Sequence, residues 1–213
     1  MNYKLLNGIN LNKLKEMNKN ELIELSDEVR QFLIDSTSKT GGHIGANLGT
    51  VELSIALHYL FDSPNDVMVW DTGHTGYTHK ILTGRLDKFK TLNTYGGMNR
   101  FVSRSESEHD FIEASHAGTS ISVALGRALS LRNKGKKEWS IAIIGDGALA
   151  EGIALEALHH ASVEKNVNLM IVLNDNGYAI SPGFGALHEY LQKRTIDTEK
   201  SDTLFTSLGY NVV

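Results

Sequence analysis

IAIIGDGALAEGIALEALHHASVEKNVNLMIVLNDNGYAI, residues 141–180, holds two short apolar runs separated by a helix-like segment. The first run, residues 141–144, leads into Gly145-Asp146-Gly147, and the second, residues 169–173, leads into Asn174-Asp175-Asn176. Two parallel strands joined by a crossover helix end at the same edge of a sheet, where open α/β folds bind ligands. The segment therefore predicts two parallel strands with both polar turns at one sheet edge.

The polar groups at this edge suit a metal–diphosphate ligand. Asp146 and Asn176 offer hard oxygen atoms, and with a backbone carbonyl and two phosphate oxygens they can complete the octahedral shell that Mg²⁺ prefers. Gly145 and Gly147 let the backbone approach a phosphate closely. An Asp-Gly pair after a strand also occurs as a simple tight turn, and this segment alone leaves that alternative open.

Length, composition and charge exclude several classes of protein. The chain has 213 residues, 41% hydrophobic and 22% charged, which is ordinary for a large globular domain. The net charge of −4 disfavours a nucleic-acid partner, and the absence of cysteine excludes disulfides and thiolate sites. The polar N-terminus and the lack of an apolar run of ~20 residues argue against a signal peptide and a membrane span. We therefore expect a cytoplasmic protein.

The pattern along the chain predicts an α/β fold with a doubly wound, mainly parallel sheet flanked by helices. Residues 1–20 are rich in Asn and Lys and are expected to form a loosely attached arm, and residues 21–213 to form the ligand-binding domain. Apolar periodicity predicts helices over 21–35, 51–60 and 119–131 and a further strand over 67–70. The polar stretch 192–202 is expected to be mobile.

The last residues, 208–213 (LGYNVV), resemble the beginning of another strand. A sheet that stops there is unfinished. We therefore expect the domain to be trimmed or to be completed by another chain.

Three further segments combine glycine with histidine: residues 40–45, 71–76 and 115–120. One histidine beside glycine is more often a turn residue than a catalyst, but three such loops next to helices or strands favour a site. Free N–H groups at helix starts suit phosphates, and histidine can move protons near neutral pH. Histidines within helical segments are expected to pack or face solvent, namely His58, His159 and His160, while His79 and His188 have no assigned role.

The order and spacing of the motifs resemble the N-terminal part of 1-deoxy-D-xylulose-5-phosphate synthase. The similar segments are TSKTGGHIGANLGTVELSIALHYLFD, VWDTGHTGYTHKILTGR, SRSESEHDF, SHAGTSISVALG, IGDGAL and LNDN. That family belongs with transketolase among the thiamine-diphosphate enzymes. The resemblance therefore implies a pyrophosphate-binding domain that holds thiamine diphosphate and Mg²⁺.

The resemblance also implies roles for individual residues. Asp146 and Asn176 would hold Mg²⁺, with the carbonyl of Tyr178 as the third protein ligand. His43 and His74 match histidines that face the reacting donor. The residues that would line the cofactor are His74, Ser115, His116, Ala117, Gly145, Asp146, Gly147, Ala148 and Asn176.

The sequence departs from the synthase pattern at three places. Ser115 stands where the family usually has glycine, and Gly177-Tyr178 where the synthase usually has Glu-Met. Glu151-Gly152 is more similar to transketolase. The activity is therefore expected to be either synthase-like, with decarboxylation of a 2-oxo acid and carboligation to an aldehyde, or transketolase-like, with ketol transfer from a sugar.

The family places a pyrimidine-binding domain, with the Glu that activates the cofactor, downstream of this region. We therefore expect this chain to be the N-terminal subunit of a split enzyme that acts only with a second subunit, most simply as a heterotetramer with two copies of each chain. The substrates would be small 2-oxo acids or sugar phosphates. Two alternatives stay open: a non-catalytic paralogue that binds or regulates a partner, and a trimmed fragment of a full-length synthase.

Overall fold

The computed structural model describes residues 3–113, 115–196 and 204–213. The chain divides into two units, Met1–Ser115 and His116–Val213. The elements of the first unit are α1 (Leu11–Glu16), α2 (Lys19–Thr40), α3 (Ile44–Leu48), α4 (Val51–Leu60), β1 (Val67–Trp70) and α5 (Tyr77–Lys80). Those of the second unit are α6 (Ser120–Asn133), β2 (Ser140–Gly145), α7 (Asp146–Leu149), α8 (Gly152–Val163), β3 (Leu169–Asn174), α9 (Ala186–Ile196) and α10 (Leu204–Ser207).

The first unit is built around the long helix α2. Asn18 caps this helix, because its side chain accepts from the N–H groups of Asn20 and Glu21 while the Glu21 carboxylate accepts from the Asn18 N–H. Leu25, Val29 and Leu33 repeat at helical spacing on the buried face of the helix. They belong to a core that also takes in residues of α4 and α5. After α5, the chain continues through a kinked turn (Ile81–Arg85), with non-helical backbone at Thr83 and Gly84, and then a 3₁₀ turn (Leu86–Thr91).

The expectation of a loosely attached arm is wrong for the described residues 3–20. Leu6 and Leu14 are fully buried in the core of the first unit, and Ile9 is nearly so. The Glu28 carboxylate also accepts from backbone N–H groups of residues 4–6. The segment is polar in overall composition, but the burial of its few apolar residues is sufficient to attach it to the core of the first unit.

The second unit contains the predicted pair of parallel strands. β2 and β3 pair in parallel from Ser140 opposite Leu169 to Gly145 opposite Asn174. The strand residues Ser140–Ile144 are buried, whereas every residue of β3 is only partly buried. Helices α6 and α8 pack against each other, and α6 also packs against β2. This arrangement confirms the α/β class and brings the Gly145 and Asn174 strand ends to one edge.

The C-terminal part differs from its prediction. Residues 204–207 form α10 and residues 208–213 form no strand, so the expectation of a further strand is wrong there. A strand needs a paired neighbour, and the short LGYNVV run has none in the described structure. The first residues of the stretch expected to be mobile belong to α9, and residues 197–203 lie outside the described residues.

Among the described residues, no helix is both long enough and apolar enough to cross a bilayer.

Candidate functional site

Two histidines from separate loops of the first unit lie against each other. The imidazole rings of His43 and His74 are 5.4 Å apart between centroids and meet edge to face at 72°. His43 directly precedes α3, and His74 follows β1 in the turn that leads to α5. The Nδ1 atom of each ring is buried and has no hydrogen-bond partner in the described structure. The structure therefore brings the predicted pair together and leaves polar ring atoms unpaired.

The side chain of Asn47 ties the two histidine loops to each other. Its Nδ2 donates to the carbonyl oxygens of His43 and His74, both at 2.7 Å. Its Oδ1 accepts from the backbone N–H of Tyr77 at 2.8 Å. Asn47 is fully buried, and a buried amide that uses both donors and its acceptor holds its neighbours in one arrangement.

Tyr77 packs beneath the loop that carries His43. Its Oη accepts from the backbone N–H of His43 at 3.3 Å, and the ring is fully buried. Gly42 has a φ of +142°, and a Cβ built there would lie 2.8 Å from the Tyr77 Oη. A side chain at position 42 would displace the hydroxyl, so glycine is required for this close approach.

Burial sets the protonation of the histidine pair. Desolvation lowers the pKa of His74, and the neighbouring His43 lowers it further, while Asp71 acts in the opposite direction. Desolvation also lowers the pKa of His43, with a second contribution from the Arg100 cation. Both rings are therefore neutral at pH 7, with one N–H donor and one acceptor nitrogen each. Neutral imidazoles of this kind can accept or donate a proton.

Buried ion pairs attach the loop of residues 99–110 to α5 and the following turn. The Lys80 ammonium, fully buried, pairs with Glu106. The Arg85 guanidinium contacts both carboxylate oxygens of Asp110, at 2.6 and 2.9 Å. These charges are paired because an isolated buried charge is strongly unfavourable.

Two more histidines belong to this network. His79 Nε2 bonds Asp110 Oδ1 at 2.8 Å, and His58 Nε2 lies 2.8 Å from His79 Nδ1. Both rings are fully buried. The His58 side chain of α4 is therefore buried, whereas His159 and His160 of α8 face solvent. Burial and solvent exposure were the two environments predicted for these helical histidines.

In the second unit, Asp146 is a buried acid at the carboxyl end of β2. Burial raises the pKa of its carboxyl, and the charge of Asp175 adds to that rise. Backbone N–H groups of Asn176, Asp146 and Gly147 bond the carboxylate and oppose the rise. Asp146 has no ion pair with a Lys, Arg or His among the described residues. The predicted neighbours Asp146 and Asn176 therefore do meet.

The loop after β3 carries the other predicted ligands and is largely exposed. Asn176 Oδ1 accepts from the Tyr178 N–H at 2.9 Å, and Asp175 Oδ1 accepts from the Gly177 N–H at 2.9 Å. Both bonds are local turns of the Asx type. Asn176 and Tyr178 are exposed.

Glycine at position 147 brings α7 close to this loop. A Cβ built on Gly147 would lie 2.8 Å from the Cβ of Ala179, closer than real side-chain contacts. Ala148 follows in the first turn of α7 and is partly buried. A larger residue at position 147 would push the loop away from Asp146.

The third histidine loop is divided between the units. Ser115 ends the first unit, and His116 and Ala117 begin the second, with all three side chains exposed. Gly118 has a φ of +81°, and a Cβ there would lie 2.9 Å from side-chain atoms of Glu151 and Ile153. Within the second unit this loop therefore lies beside the start of α8.

The donor set around Asp146 fits the expected metal–diphosphate group. A buried carboxylate, an amide oxygen and a backbone carbonyl are hard oxygen donors of the kind Mg²⁺ takes. The Asn176 oxygen already accepts one N–H and keeps a second lone pair for a metal. No cluster of three or more His, Cys, Asp or Glu side chains suited to a metal occurs in the described parts of the chain. The expected set needs only one such residue, so it is compatible with that finding.

Sequence reasoning missed Asn47 and Tyr77. Both lie within segments that were compared with the synthase family, but an Asn in a short helix and a Tyr at a helix start carry no signal of their own. Their function depends on contacts across 27 to 34 positions of the sequence. The unpaired Nδ1 atoms of the two histidines and the buried amide of Asn47 can be recognised only from the three-dimensional structure.

The fold places the chain in a known structural class. Among solved structures, a transketolase from Leishmania mexicana matches 90% of this chain and 31% of its own chain, with a TM-score of 0.71 and 19% sequence identity. At that identity the match shows the fold alone. It confirms the α/β fold predicted from the sequence.

The sequence comparisons identify the family. A family model described as 1-deoxy-D-xylulose-5-phosphate synthase matches residues 6–207. The 1-deoxy-D-xylulose-5-phosphate synthase of Cupriavidus taiwanensis is 51% identical over 194 residues, 91% of this chain and 30% of that protein. The synthase of Geobacillus sp. strain WCH70 is 56% identical over 178 residues, 84% of this chain and 28% of that protein. The chain therefore belongs to the 1-deoxy-D-xylulose-5-phosphate synthase family, as the motifs predicted, and spans about 30% of the length of these curated relatives.

Proposed function

We propose that this chain is the metal–diphosphate-binding subunit of a thiamine-diphosphate-dependent transferase that moves a two-carbon unit. Membership of the synthase family supports a transferase with this cofactor. The observation that carries the proposal is the buried Asp146 carboxylate, which has no cationic side-chain partner among the described residues. It lies where open α/β folds bind ligands, at the carboxyl end of a parallel strand.

In this proposal Asp146, Asn176 and the Tyr178 carbonyl hold Mg²⁺. The backbone at Gly145 and the Gly147-Ala148 turn would lie beside the diphosphate, and Ser115, His116 and Ala117 would contact the cofactor. The chain thereby binds and orients the diphosphate end. Bound thiamine diphosphate supplies the nucleophilic carbon of the reaction.

His43 and His74 are the proposed catalytic residues. Both are neutral near pH 7, so each ring can donate one hydrogen bond and accept another. Asn47 keeps the two rings in a fixed relation by bonding their backbones. Such a pair suits proton transfer to and from a hydroxyl or carbonyl oxygen of the donor. The donor is a 2-oxo acid in a synthase-like reaction or a sugar phosphate in a transketolase-like one.

We also propose that the enzyme is completed by a second polypeptide that carries the pyrimidine-binding domain and its Glu. The second unit offers a surface for assembly between α6 and α8. A groove of about 530 Å³ there is lined by Ser122, Ile153, Ala157 and Val163 among others. Ile153 and Val163, which both line this groove, are 46% and 66% exposed.

Small residues on α6 support the same surface. Gly126 is exposed, and a Cβ built there would meet nothing within 4 Å. Ser122 lies one helical turn before it. A second helix can approach such a face closely, so we expect two copies of each chain with an obligate interface of ~2,000 Å² or more. A cytoplasmic location stays a prediction.

The experiment is reconstitution. The chain is purified alone and then mixed with a polypeptide that has a pyrimidine-binding domain but no Gly-Asp-Gly segment of its own. Pyruvate and a ketose phosphate are supplied as donors, with an aldehyde acceptor, thiamine diphosphate and Mg²⁺. We expect no turnover by the chain alone and turnover on mixing, with the Asp146→Ala chain as the inactive control.

Other outcomes separate the alternatives. A single longer polypeptide in the source cells would identify the chain as part of a full-length synthase. A chain that forms the complex but binds no cofactor would be a regulatory paralogue, against which the retained Asp146, Asn176, His43 and His74 argue. Turnover by the chain alone would refute the two-subunit enzyme.

A further inference from the structure

We propose that Arg100, together with the His43–His74 pair, forms a binding site for an anionic group of the substrate, a carboxylate or a phosphate. The inference deepens the proposed function, on which it rests, because it assigns a chemical class to the substrate at the same site. It concerns residues of the first unit only.

The turn that carries Arg100 is held in place by buried charges. The Asn99 N–H donates to Glu106, and the Asn99 carbonyl accepts from Lys80 Nζ at 2.8 Å. Lys80 is fully buried and pairs with the same Glu106. The Asn99 side chain in turn accepts from the Phe101 N–H at 3.0 Å. Arg100 is therefore presented by a turn whose preceding residue, Asn99, is bonded to the buried Lys80–Glu106 pair.

The same turn reaches the histidine site. The Phe101 ring lies 5.8 Å from the His43 ring, tilted by 37°. Burial raises the pKa of Tyr77 and lowers that of His43, and the Arg100 charge acts downward on both values, as expected for a guanidinium close to both groups. Arg100 is thus next to two of the groups that build the site.

The charge of Arg100 is not neutralised by any residue that the structure describes. Lys80 and Arg85 are paired with Glu106 and Asp110, whereas Arg100 forms no ion pair with a carboxylate among the described residues. Its side chain is exposed and can reach a ligand. A cation held beside neutral imidazoles, without an acid of its own, favours an anion.

The chemistry of these groups matches a carboxylate or a phosphate. A guanidinium binds either group with two parallel N–H···O bonds. The buried Nδ1 atoms of His43 and His74 have no partner in the described parts of the chain and can take part in the same hydrogen-bond network. A 2-oxo acid carries a carboxylate and a sugar phosphate carries a phosphate, so both proposed donors offer the required anion.

The test measures anion binding to the full chain without thiamine diphosphate, so that it is independent of the cofactor assignment. The imidazole signals of His43 are followed by NMR during titration with pyruvate and, separately, with inorganic phosphate. The variants are Arg100→Gln and a matched control, Arg104→Gln, which removes an exposed arginine from the same loop. Because Arg100 is exposed, its replacement is not expected to unfold the chain.

We expect Arg100→Gln to weaken binding of the anion by about tenfold or more, since a charge-assisted hydrogen bond is lost. It should also raise the pKa of His43, while Arg104→Gln changes neither quantity. Binding of pyruvate alone would assign the carboxylate, and binding of phosphate alone the phosphate. The proposal is overturned if neither anion binds in an Arg100-dependent way, or if Arg104→Gln has the same effect as Arg100→Gln.

Discussion

The histidine site of the first unit and the acidic turn of the second unit are stabilised in different ways. Around His43 and His74, fully buried Asn47 and Tyr77 bond the loops across long sequence separations. Around Asp146, by contrast, the loop after β3 is shaped mostly by bonds between residues two apart. The first arrangement is fixed by bonds between distant parts of the chain, whereas the second combines a buried acid with exposed oxygen atoms.

The surroundings of the two sites differ in the same sense. The first unit, which carries the histidine site, also holds paired buried charges, Lys80 with Glu106 and Arg85 with Asp110. In the loop after β3, the side chain of Ile180 is fully exposed to solvent and that of Phe184 is nearly so. Large apolar side chains in that state favour a covering ligand or partner. We therefore expect substitutions in the first unit to change stability or catalysis, and substitutions near Asp146 to change metal and cofactor binding.

The largest effect on stability is expected from Asp110→Asn. This change removes the carboxylate that Arg85 contacts most closely, so the buried guanidinium keeps a longer contact of 3.6 Å with Glu106, and it weakens the bond to His79. Removal of one member of a buried ion pair costs about 3–5 kcal/mol of unfolding free energy. Urea unfolding measures this loss of unfolding free energy.

Glu24→Gln is the matched control, because Glu24 pairs with Lys4 at the surface of the same unit. Its effect should stay within about 1 kcal/mol. Equal effects of the two changes would show that the buried network does not set the stability of the first unit.

Replacement of His43 or His74 by alanine should act on turnover rather than on folding. Asn47 bonds the backbone carbonyls of these residues, which alanine retains, and the ring Nδ1 atoms have no partner among the residues that the structure describes. We expect turnover of the reconstituted enzyme to fall about 10²-fold or more, with an almost unchanged melting temperature. A large loss of stability with turnover preserved would mean that the rings only pack.

Asn47→Ala tests whether the amide positions the pair. The change removes the partners of two carbonyl groups and one N–H in a buried place, at a cost of about 1–3 kcal/mol. Turnover should fall as well, because the two histidines lose their fixed relation. Asn20→Ala, at an exposed position of α2, should leave both quantities unchanged. An Asn47 variant with lower stability and full activity would limit this residue to a structural role.

A smaller effect concerns pH. Desolvation lowers the pKa of His58 and His79 below the 6.5 of an unfolded histidine. Below pH 6.5 the unfolded chain therefore binds more protons than the folded one, and the unfolding free energy falls as pH falls. The slope should approach about 1.4 kcal/mol per pH unit for each histidine.

Urea unfolding at pH 7.5, 6.5 and 5.5 measures this slope. His159→Ala, at an exposed position of α8, should leave it unchanged. A stability that is flat between pH 6.5 and 5.5 would contradict the buried neutral state of the two rings.

The elements that follow from local pattern were predictable. The apolar runs of β1, β2 and β3 and the periodicity of α4 marked strands and a helix close to their observed bounds. The Gly-Asp-Gly turn and the later Asn predicted that Asp146 and Asn176 meet, because parallel strands end at one edge.

Features that depend on long-range contacts were not predictable. The role of Asn47 requires residues 74 and 77 to lie beside residue 43, which no local pattern encodes. Leu6 and Leu14 are buried although their segment is polar in composition. Residues 208–213 have a strand-like composition, but a strand forms only where a neighbour accepts its hydrogen bonds.

The most direct measurement is calorimetric titration of the reconstituted complex with thiamine diphosphate at millimolar Mg²⁺, for the wild-type chain, Asp146→Ala and Asp175→Ala. Asp175 is the control because it is exposed, adjacent in space and not an expected ligand. We expect Asp146→Ala to abolish binding, since Mg²⁺ loses its only charged protein ligand. Asp175→Ala should bind as the wild type does. Unchanged binding by Asp146→Ala would contradict the assignment of this chain as the metal–diphosphate-binding subunit.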